Sequence, residues 1–182
     1  CGFAHVWPLP PDTTVAELYK DHYFKAIHKP SEEEQQWLDR IFATRMDFIE
    51  AANTTNGQRL LDIGSGGGRF AMEAKKRGWH VLALEPNGVA ATHLRENDLN
   101  VQEALFDDSA VADWEDAQFD VIHASFVLEH VLDAPAFVAR AKRFLRPGGT
   151  LALVVPNDFN AIQLTHQQQT GHAPWWVRPD HH

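Results

Sequence analysis

A glycine-rich turn that follows an apolar run constrains this chain more than any other feature. The segment from Leu60 to Phe70 reads LLDIGSGGGRF, in which an apolar strand with one acidic residue passes through a glycine loop into a helix. Glycine tolerates a positive φ and has no Cβ, so the backbone there can turn sharply and approach a ligand closely. The helix that follows directs free N–H groups toward that ligand. The pattern predicts a small cofactor bound where the strand ends.

Composition and charge limit the class of protein. The chain has 182 residues, of which 44% are hydrophobic and 23% are charged, as in ordinary globular domains. The net charge of −9 argues against a nucleic-acid partner, because the only basic cluster, Lys75 to Arg77, falls in the last turn of a predicted helix. No apolar run reaches the roughly 20 residues of a membrane span. With a single cysteine no internal disulfide is possible, and a reducing, cytoplasmic location is expected.

Residues 1–58 form a first predicted unit, an N-terminal helical cap or linker. A short helix is expected through Glu17, Leu18 and Tyr19, after a proline-rich entry. A second helix is expected to begin at Ser31, with Glu34 completing a capping box. It carries a series of residues at helical spacing: Trp37, Ile41, Arg45, Phe48 and Ala52. No strand precedes these helices, so they are predicted to lie over or beside a separate core.

Residues 59–157 are predicted to form an α/β core, a Rossmann-like, doubly wound and mainly parallel sheet. Short apolar runs alternate here with helical periods, which is typical of a sheet covered on both faces. The predicted strands are 59–63, 80–84, 100 to about 105, 119–124 and 150–155, and the predicted helices are 67–77, one capped by Asn87, and one that includes Pro135. The Arg146 to Gly149 segment is expected to break the chain before the last strand. Residues 158–182 are predicted to be a tail that begins a substrate-side region.

Two carboxylates narrow the choice of cofactor. The glycine spacing alone also fits the G-x-G-x-x-G/A pattern of nicotinamide and flavin dinucleotides. Asp62 would repel a pyrophosphate at the end of its strand and attract a ligand that carries an ammonium group. Glu85 ends the second strand, where a carboxylate accepts hydrogen bonds from ribose hydroxyls. Together they favour a nucleoside that bears an amino acid.

The motifs in the core resemble those of the class I S-adenosylmethionine-dependent methyltransferases, within the small-molecule group related to ubiquinone and sugar methyltransferases. The resemblance covers residues 59–157. Four motifs occur in the family's order: LDIGSGGG at 61–68, LEP at 84–86, FDVIHASFVLEHV at 119–131 and LRPGGTL at 145–151. It implies a methyltransferase that uses S-adenosyl-L-methionine, leaves S-adenosyl-L-homocysteine, and methylates an oxygen, nitrogen or carbon atom of a small-molecule acceptor.

The resemblance also implies roles for individual residues. The methionine moiety is assigned to Asp62, Gly64, Ser65, Gly66 and Gly68; the adenosine to Glu85, Pro86, Asn87, Leu105 and Phe106; and the surroundings of the sulfonium to Ser125 and Phe126. Many members of the family use an acidic residue to bind the adenine amino group. Ala104 or Leu105 occupies that place here, with Asp107 or Asp108 as possible substitutes.

Catalytic candidates are fewer, because the cofactor brings an already activated methyl group. A hydroxyl or carbon nucleophile needs a base, for which His130 and Tyr23 are the candidates, with Tyr19 as a further one. A helix-start histidine bonded to a backbone carbonyl is the structural alternative for His130. Glu129 and His130 could also bind a divalent metal, but no metal site is predicted.

Other functions remain open from the sequence. A non-catalytic protein that binds S-adenosylmethionine or another nucleoside is one alternative, and an NAD-dependent oxidoreductase is a second. Both ends of the chain also look cut by comparison with the family. Strands six and seven of its sheet are expected to be missing, and Cys1 could be the last ligand of an N-terminal zinc ribbon.

Overall fold

A five-stranded parallel sheet forms the centre of the protein. The computed structural model describes residues 30–172. Its elements, in chain order, are α1 (Glu32–Ala52), β1 (Arg59–Ile63), α2 (Arg69–Lys76), β2 (His80–Leu84), α3 (Gly88–Glu96), β3 (Asn100–Gln102), β4 (Phe119–Ser125), a 3-10 turn (Leu128–His130), α4 (Ala134–Phe144), β5 (Leu145–Val154) and α5 (Ala161–Thr170).

The strand order fixes where a ligand can bind. The sheet runs β3-β2-β1-β4-β5, and every neighbouring pair is parallel. The chain therefore starts in the middle, moves outward to β3, and returns to the other side of β1 to form β4. The crevice outside the carboxyl ends of β1 and β4 lies at this change of direction, where ligands bind in doubly wound sheets. The predicted Rossmann-like fold is confirmed.

Side chains that alternate along the strands build a core on each face of the sheet. One face packs against α1, α2 and α3 and buries Leu60, Phe70, Val81, Leu94 and Val121 among others. The opposite face packs against α4, with Leu61, Ile63, Ile122 and Phe144 among its buried residues. Since side chains alternate between the faces of a strand, Asp62, Glu85 and His123 share the first face with α1.

The α1 helix begins where its capping box predicts. Ser31 accepts a hydrogen bond from the Glu34 N–H, and the Glu34 side chain accepts one from the Ser31 N–H at 2.8 Å. Of the residues at helical spacing, Trp37 and Phe48 are exposed. Met46 and Ile49 are buried instead, in the core cluster on the first face of the sheet.

Salt bridges hold α1 against the end of α2. The guanidinium of Arg77 contacts Asp47 and Glu50 of α1 and Glu73 of α2, at 2.6, 2.9 and 2.8 Å. Hydrogen bonds that Arg77 donates to these carboxylates raise its pKa above the usual value. Because α1 reaches the carboxyl end of the sheet, this attachment sets the position of its side chains over the crevice.

The structure differs from the predictions at two strand boundaries and in one additional helix. β3 ends at Gln102 instead of near Leu105. β5 begins at Leu145, so the predicted break at 146–149 lies within the strand as an irregularity. There the pairing with β4 shifts from Phe119–Leu145 to Val121–Thr150, because the extra residues bulge out while Leu145 already pairs. The α5 helix was not predicted, although Asn160 and Gln163 form a capping box at its start.

Several predictions lie outside the described residues or stay predictions. The short helix through Tyr19, the candidate base Tyr23 and the zinc ligand Cys1 belong to the segment before residue 30. The division of the chain at residues 58 and 157 remains a prediction. Within residues 30–172, no helix is long and apolar enough to cross a membrane.

Candidate functional site

A cavity of about 1180 Å³ opens at the carboxyl ends of β1, β2 and β4. Nearly all of the residues predicted to form the site line this one cavity. They are Asp62, Gly64, Ser65, Gly66, Gly68, Glu85, Pro86, Leu105, Phe106, Ser125, Phe126 and His130. The fold thus brings together residues that lie up to 68 positions apart in the chain, from Asp62 to His130.

Asn87 differs from the rest of the predicted set. Its side chain is buried and accepts hydrogen bonds from the N–H groups of Val89 and Ala90, both at 3.1 Å. It is the N-cap of α3 and does not line the cavity. Asn87 can therefore affect a ligand only indirectly, through the hydrogen bond that its backbone N–H donates to Glu85.

The glycine loop needs glycine for its backbone shape. Gly64, Gly66 and Gly68 have φ values of +67°, +53° and +75°, in the left-handed region that other residues rarely adopt. A Cβ on Gly64 would lie 2.6 Å from Cγ2 of Val127, and one on Gly68 would collide with Leu94. The Gly64 N–H donates to the Leu84 carbonyl at 2.8 Å, which fixes the loop to the end of β2.

Glu85 connects the loop to the second strand. Its carboxylate is buried and accepts hydrogen bonds from the N–H of Gly66 at 2.7 Å and from the N–H of Asn87 at 2.9 Å. Burial raises the pKa of Glu85, these two hydrogen bonds act against the shift, and the nearby charge of Asp62 adds to it. A carboxylate has about four acceptor positions, so acceptor capacity remains for a ligand in the cavity.

Asp62 belongs to a buried polar chain that crosses from the sheet to α1. Its Oδ1 lies 2.7 Å from Nδ1 of His123, the residue that pairs with it in β4. Nε2 of His123 lies 3.4 Å from Nη1 of Arg45, and the same Arg45 nitrogen donates to Oγ of Ser125 at 3.1 Å. Burial lowers the pKa of Arg45, and the charge of Asp62 opposes that shift.

His123 and Arg45 are cavity-lining residues that the sequence analysis did not select. His123 stands inside the motif at 119–131, and Arg45 is only one member of a series at helical spacing. One signal was available for His123: it is a titratable residue between the apolar residues Ile122 and Ala124 of β4. Arg45 had no comparable signal, because its position depends on how α1 packs.

Asp107 and Asp108, the predicted substitutes for an adenine-binding acidic residue, have different surroundings in the structure. Asp107 lines the cavity and accepts hydrogen bonds from Oγ of Ser109 at 2.7 Å and from the N–H of Ala110 at 2.9 Å. Burial acts to raise the pKa of Asp107, but these bonds outweigh it and hold the pKa below its usual value. Asp108 does not line the cavity and pairs with Arg140 at 2.8 Å.

His130 lies in the 3-10 turn after β4, and its side chain lines the cavity with only 8% of the residue exposed. Its N–H donates to the Val127 carbonyl at 3.0 Å. Neighbouring cavity residues on this wall are apolar, including Val127, Val131 and Leu132. Within residues 30–172, no group of three or more His, Cys, Asp or Glu side chains is arranged to hold a metal ion.

The charges around the cavity fit one kind of ligand. Asp62 and Glu85 are two buried carboxylates on the same side of the sheet, which favour a cationic ligand and disfavour a pyrophosphate. Arg45 adds a guanidinium suited to a carboxylate. A nucleoside that carries both an amino acid and a positive sulfur matches this donor set, and the three left-handed glycines leave room for it beside the loop.

Comparisons with known proteins agree with this chemistry. The model of a family described as "Methyltransferase domain" matches residues 28–182. The chain is 34% identical over 122 residues to the ubiquinone biosynthesis O-methyltransferase of Methylococcus capsulatus, an alignment that covers 65% of this chain and 52% of that protein. The chain thus spans about half the length of the curated relatives that it matches.

Solved structures show the same fold. A SAM-dependent methyltransferase from Archaeoglobus fulgidus superposes with a TM-score of 0.58 at 19% identity, covering 78% of this chain and 63% of that one. The geranyl diphosphate C-methyltransferase of Streptomyces coelicolor, solved with S-adenosyl-L-homocysteine, superposes with a TM-score of 0.56 at 16% identity. The superposition covers 78% of this chain and 63% of that one. These structures share the fold of this chain, and the match to the family model over residues 28–182 shows that the chain belongs to the methyltransferase domain family.

Proposed function

We propose that this chain binds S-adenosylmethionine in the cavity and transfers its methyl group to a hydroxyl oxygen of a small, largely apolar acceptor such as a phenol. The preference for oxygen follows the curated relatives, which are named as O-methyltransferases. The preference for an apolar acceptor follows the wall of the cavity around Val131 and Leu132. The products are the methyl ether and S-adenosylhomocysteine.

The amino-acid end of the cofactor is assigned to the polar chain beneath α1. Asp62 offers a carboxylate to the ammonium group, and the Arg45 guanidinium offers donors to the carboxylate. Glu85 accepts from the ribose hydroxyls, and Leu105, Phe106 and Asp107 bound the adenine side. The opposed charges of Asp62 and Arg45 favour one orientation of a zwitterion over the reverse.

The cofactor supplies an activated methyl group, so the protein's part is alignment, exclusion of water and removal of one proton. Ser125 is the last residue of β4 and Phe126 follows it, and both line the cavity that the glycine loop also lines. Phe126 has a φ of +56° and is 54% exposed. A bulky residue in this region of φ is strained, and such strain is concentrated at functional sites. We assign Phe126 to the acceptor side.

The observation that carries the proposal is the position of His130. This imidazole lines the same cavity as Asp62 and Glu85 but stands on its apolar wall. A neutral imidazole can accept the proton that a hydroxyl loses as its oxygen attacks the methyl carbon. The bond to sulfur breaks as the new C–O bond forms, and the proton remains on the histidine until it exchanges with water.

A methyl-transfer assay tests this proposal. Formation of S-adenosylhomocysteine is measured with an ortho-diphenol, with the matching aromatic amine and with the matching thiol. The diphenol is expected to be methylated fastest, and His130→Gln is expected to lower kcat by about 10²-fold or more without changing cofactor affinity. His172→Gln, an exposed histidine outside the cavity, is the matched control. Preference for the amine, or full activity of His130→Gln, would contradict the proposal.

A further inference from the structure

His123 is a buried histidine of β4 that makes both polar and aromatic contacts. Only 1% of it is exposed, and its ring stacks on Phe70 with centroids 3.6 Å apart and an angle of 23° between the planes. Burying an imidazole without hydrogen bonds is costly, so both ring nitrogens need partners. The partners are two charged groups of the site, Asp62 and Arg45.

The chemistry of these partners fixes the direction of both hydrogen bonds. A carboxylate only accepts, so Nδ1 of His123 carries the hydrogen that lies between it and Oδ1 of Asp62. A guanidinium only donates, so Nε2 of His123 is the acceptor for Arg45. A leucine or phenylalanine at this position could fill the space but could serve neither partner.

Each partner is also fixed from a second side. Strand pairing places Asp62 and His123 side by side in β1 and β4, and Ser125, two residues further along β4, accepts a hydrogen bond from the same Arg45 nitrogen at 3.1 Å. The Phe70 ring covers one face of the imidazole and limits its rotation. His123 is therefore held rigidly while it contacts both charged groups.

We propose that His123 is a positioning residue that orients the Asp62 carboxylate and the Arg45 guanidinium toward the amino-acid end of S-adenosylmethionine. The proposal rests on the proposed placement of the cofactor, but it needs no particular acceptor. Removing His123 leaves Asp62 and Arg45 in the site without the neighbour that separates and aligns them. Affinity for the amino-acid end then falls, whereas contacts to the adenosine end, made by Glu85 and Phe106, remain.

The test compares two ligands that differ only at the amino-acid end. S-adenosylhomocysteine carries that group, whereas 5′-methylthioadenosine keeps the adenosine and the thioether sulfur without it. Dissociation constants of both are measured calorimetrically for the full chain and for His123→Leu. The variant is expected to bind S-adenosylhomocysteine roughly tenfold more weakly, as for a lost hydrogen bond to a charged group, and methylthioadenosine within about twofold.

Two further variants sharpen the comparison. His123→Asn keeps a donor near the position of Nδ1 for Asp62 but loses the acceptor for Arg45, so it is expected to show an intermediate loss for S-adenosylhomocysteine only. It carries the test if His123→Leu does not fold. His80→Leu is the matched control, because His80 is exposed at the start of β2 and does not line the cavity.

Coupling to Arg45 gives a second readout. In an Arg45→Met background, His123→Leu is expected to weaken S-adenosylhomocysteine binding less than it does alone, since the group that it positions has been removed. Equal losses for both ligands would show a merely structural role and overturn the proposal, as would unchanged affinity for S-adenosylhomocysteine. Failure of methyl transfer to a phenol would refute the proposed reaction and leave this binding test unaffected.

Discussion

Glu85 accepts a hydrogen bond from the Gly66 N–H at 2.7 Å, so the end of β2 and the tip of the glycine loop form one rigid unit. Three N–H groups of the loop, those of Gly64, Gly66 and Gly68, already donate to acceptors of the protein. The loop therefore contributes its backbone shape to the site as much as its hydrogen-bond donors. The Glu85 carboxylate both shapes the loop and faces the cavity.

Glu85→Gln is expected to weaken S-adenosylhomocysteine binding at least tenfold, which is about 1.4 kcal/mol. An amide offers one acceptor oxygen where the carboxylate offers two, so one of the bonds from Gly66 and Asn87 is lost and the ribose hydroxyls lose a charged acceptor. Calorimetric titration measures the effect. Glu96→Gln, an exposed residue at the end of α3, is the control, and similar losses in both variants would contradict the assigned role of Glu85.

Cofactor affinity is expected to fall as the pH is lowered. Burial and the charge of Asp62 raise the pKa of Glu85 above 4.5, the ordinary pKa of a glutamate, so the fall begins above pH 4.5. The sign follows from the direction of this shift. Protonation converts a charged acceptor into a neutral group and removes its bond to a ribose hydroxyl, so affinity is retained above the raised pKa and lost below it. Titrations at a series of pH values check this. An affinity that is flat down to pH 4.5, or the same slope in Glu85→Gln, would count against it.

Asp120 lies at the other end of the sheet, away from the cavity, and is expected to stabilise the folded chain. This buried carboxylate accepts from the Arg59 N–H at 2.9 Å and from Arg146 at 3.0 Å. Burial acts to raise the pKa of Asp120, but these hydrogen bonds outweigh it and hold the pKa below its usual value. Its contribution to stability is therefore present above the pKa of the unfolded chain and is lost as pH falls through the folded pKa.

Asp120→Asn is expected to lower the free energy of unfolding by about 1–3 kcal/mol at neutral pH, since a buried donor loses its charged acceptor. The exposed pair of Asp116 with Arg143 provides the control, and Asp116→Asn is expected to cost less than about 1 kcal/mol. Urea denaturation measures both. Equal losses, or a variant that keeps the acid sensitivity of the parent, would show that Asp120 does not act in this way.

Gly64→Ala is expected to be more harmful than the same change at Gly171, which has nearly the same φ, +66° against +67°. A Cβ on Gly171 meets open space, whereas one on Gly64 would lie 2.6 Å from Val127. The backbone strain is thus matched, and the difference of about 1–3 kcal/mol reports the collision. Thermal and urea unfolding compare the two. Equal destabilisation would mean that the loop tolerates a side chain beside Val127.

The sequence was most informative where a local rule determines the structure. The capping residues Ser31 and Asn87, the glycine loop and three of the strands follow from spacing within a few residues, and the structure confirms them. The helical spacing of Trp37 and Phe48 does not indicate which side of α1 packs inward, because α1 carries apolar residues on more than one side. Only its packing against the sheet shows that Met46 and Ile49 are the buried pair.

The polar chain through His123 could not be predicted, because it depends on strand pairing. Asp62 and His123 are 61 positions apart, and only the register between β1 and β4 makes them neighbours. Arg45 joins them from α1, whose position follows from long-range contacts such as those of Arg77. The carboxylates were visible in the sequence because each ends a strand or lies in a motif, whereas the contacts that join them to His123 and Arg45 depend on the fold.

The most direct test of the account is a calorimetric titration of the chain with S-adenosylhomocysteine and with NAD. The account predicts saturable binding of S-adenosylhomocysteine at a single site, no binding of NAD, and at least a tenfold weaker affinity, about 1.4 kcal/mol, in Asp62→Ala. Binding of NAD alone, or an affinity for S-adenosylhomocysteine that Asp62→Ala and Glu85→Gln both leave unchanged, would contradict it.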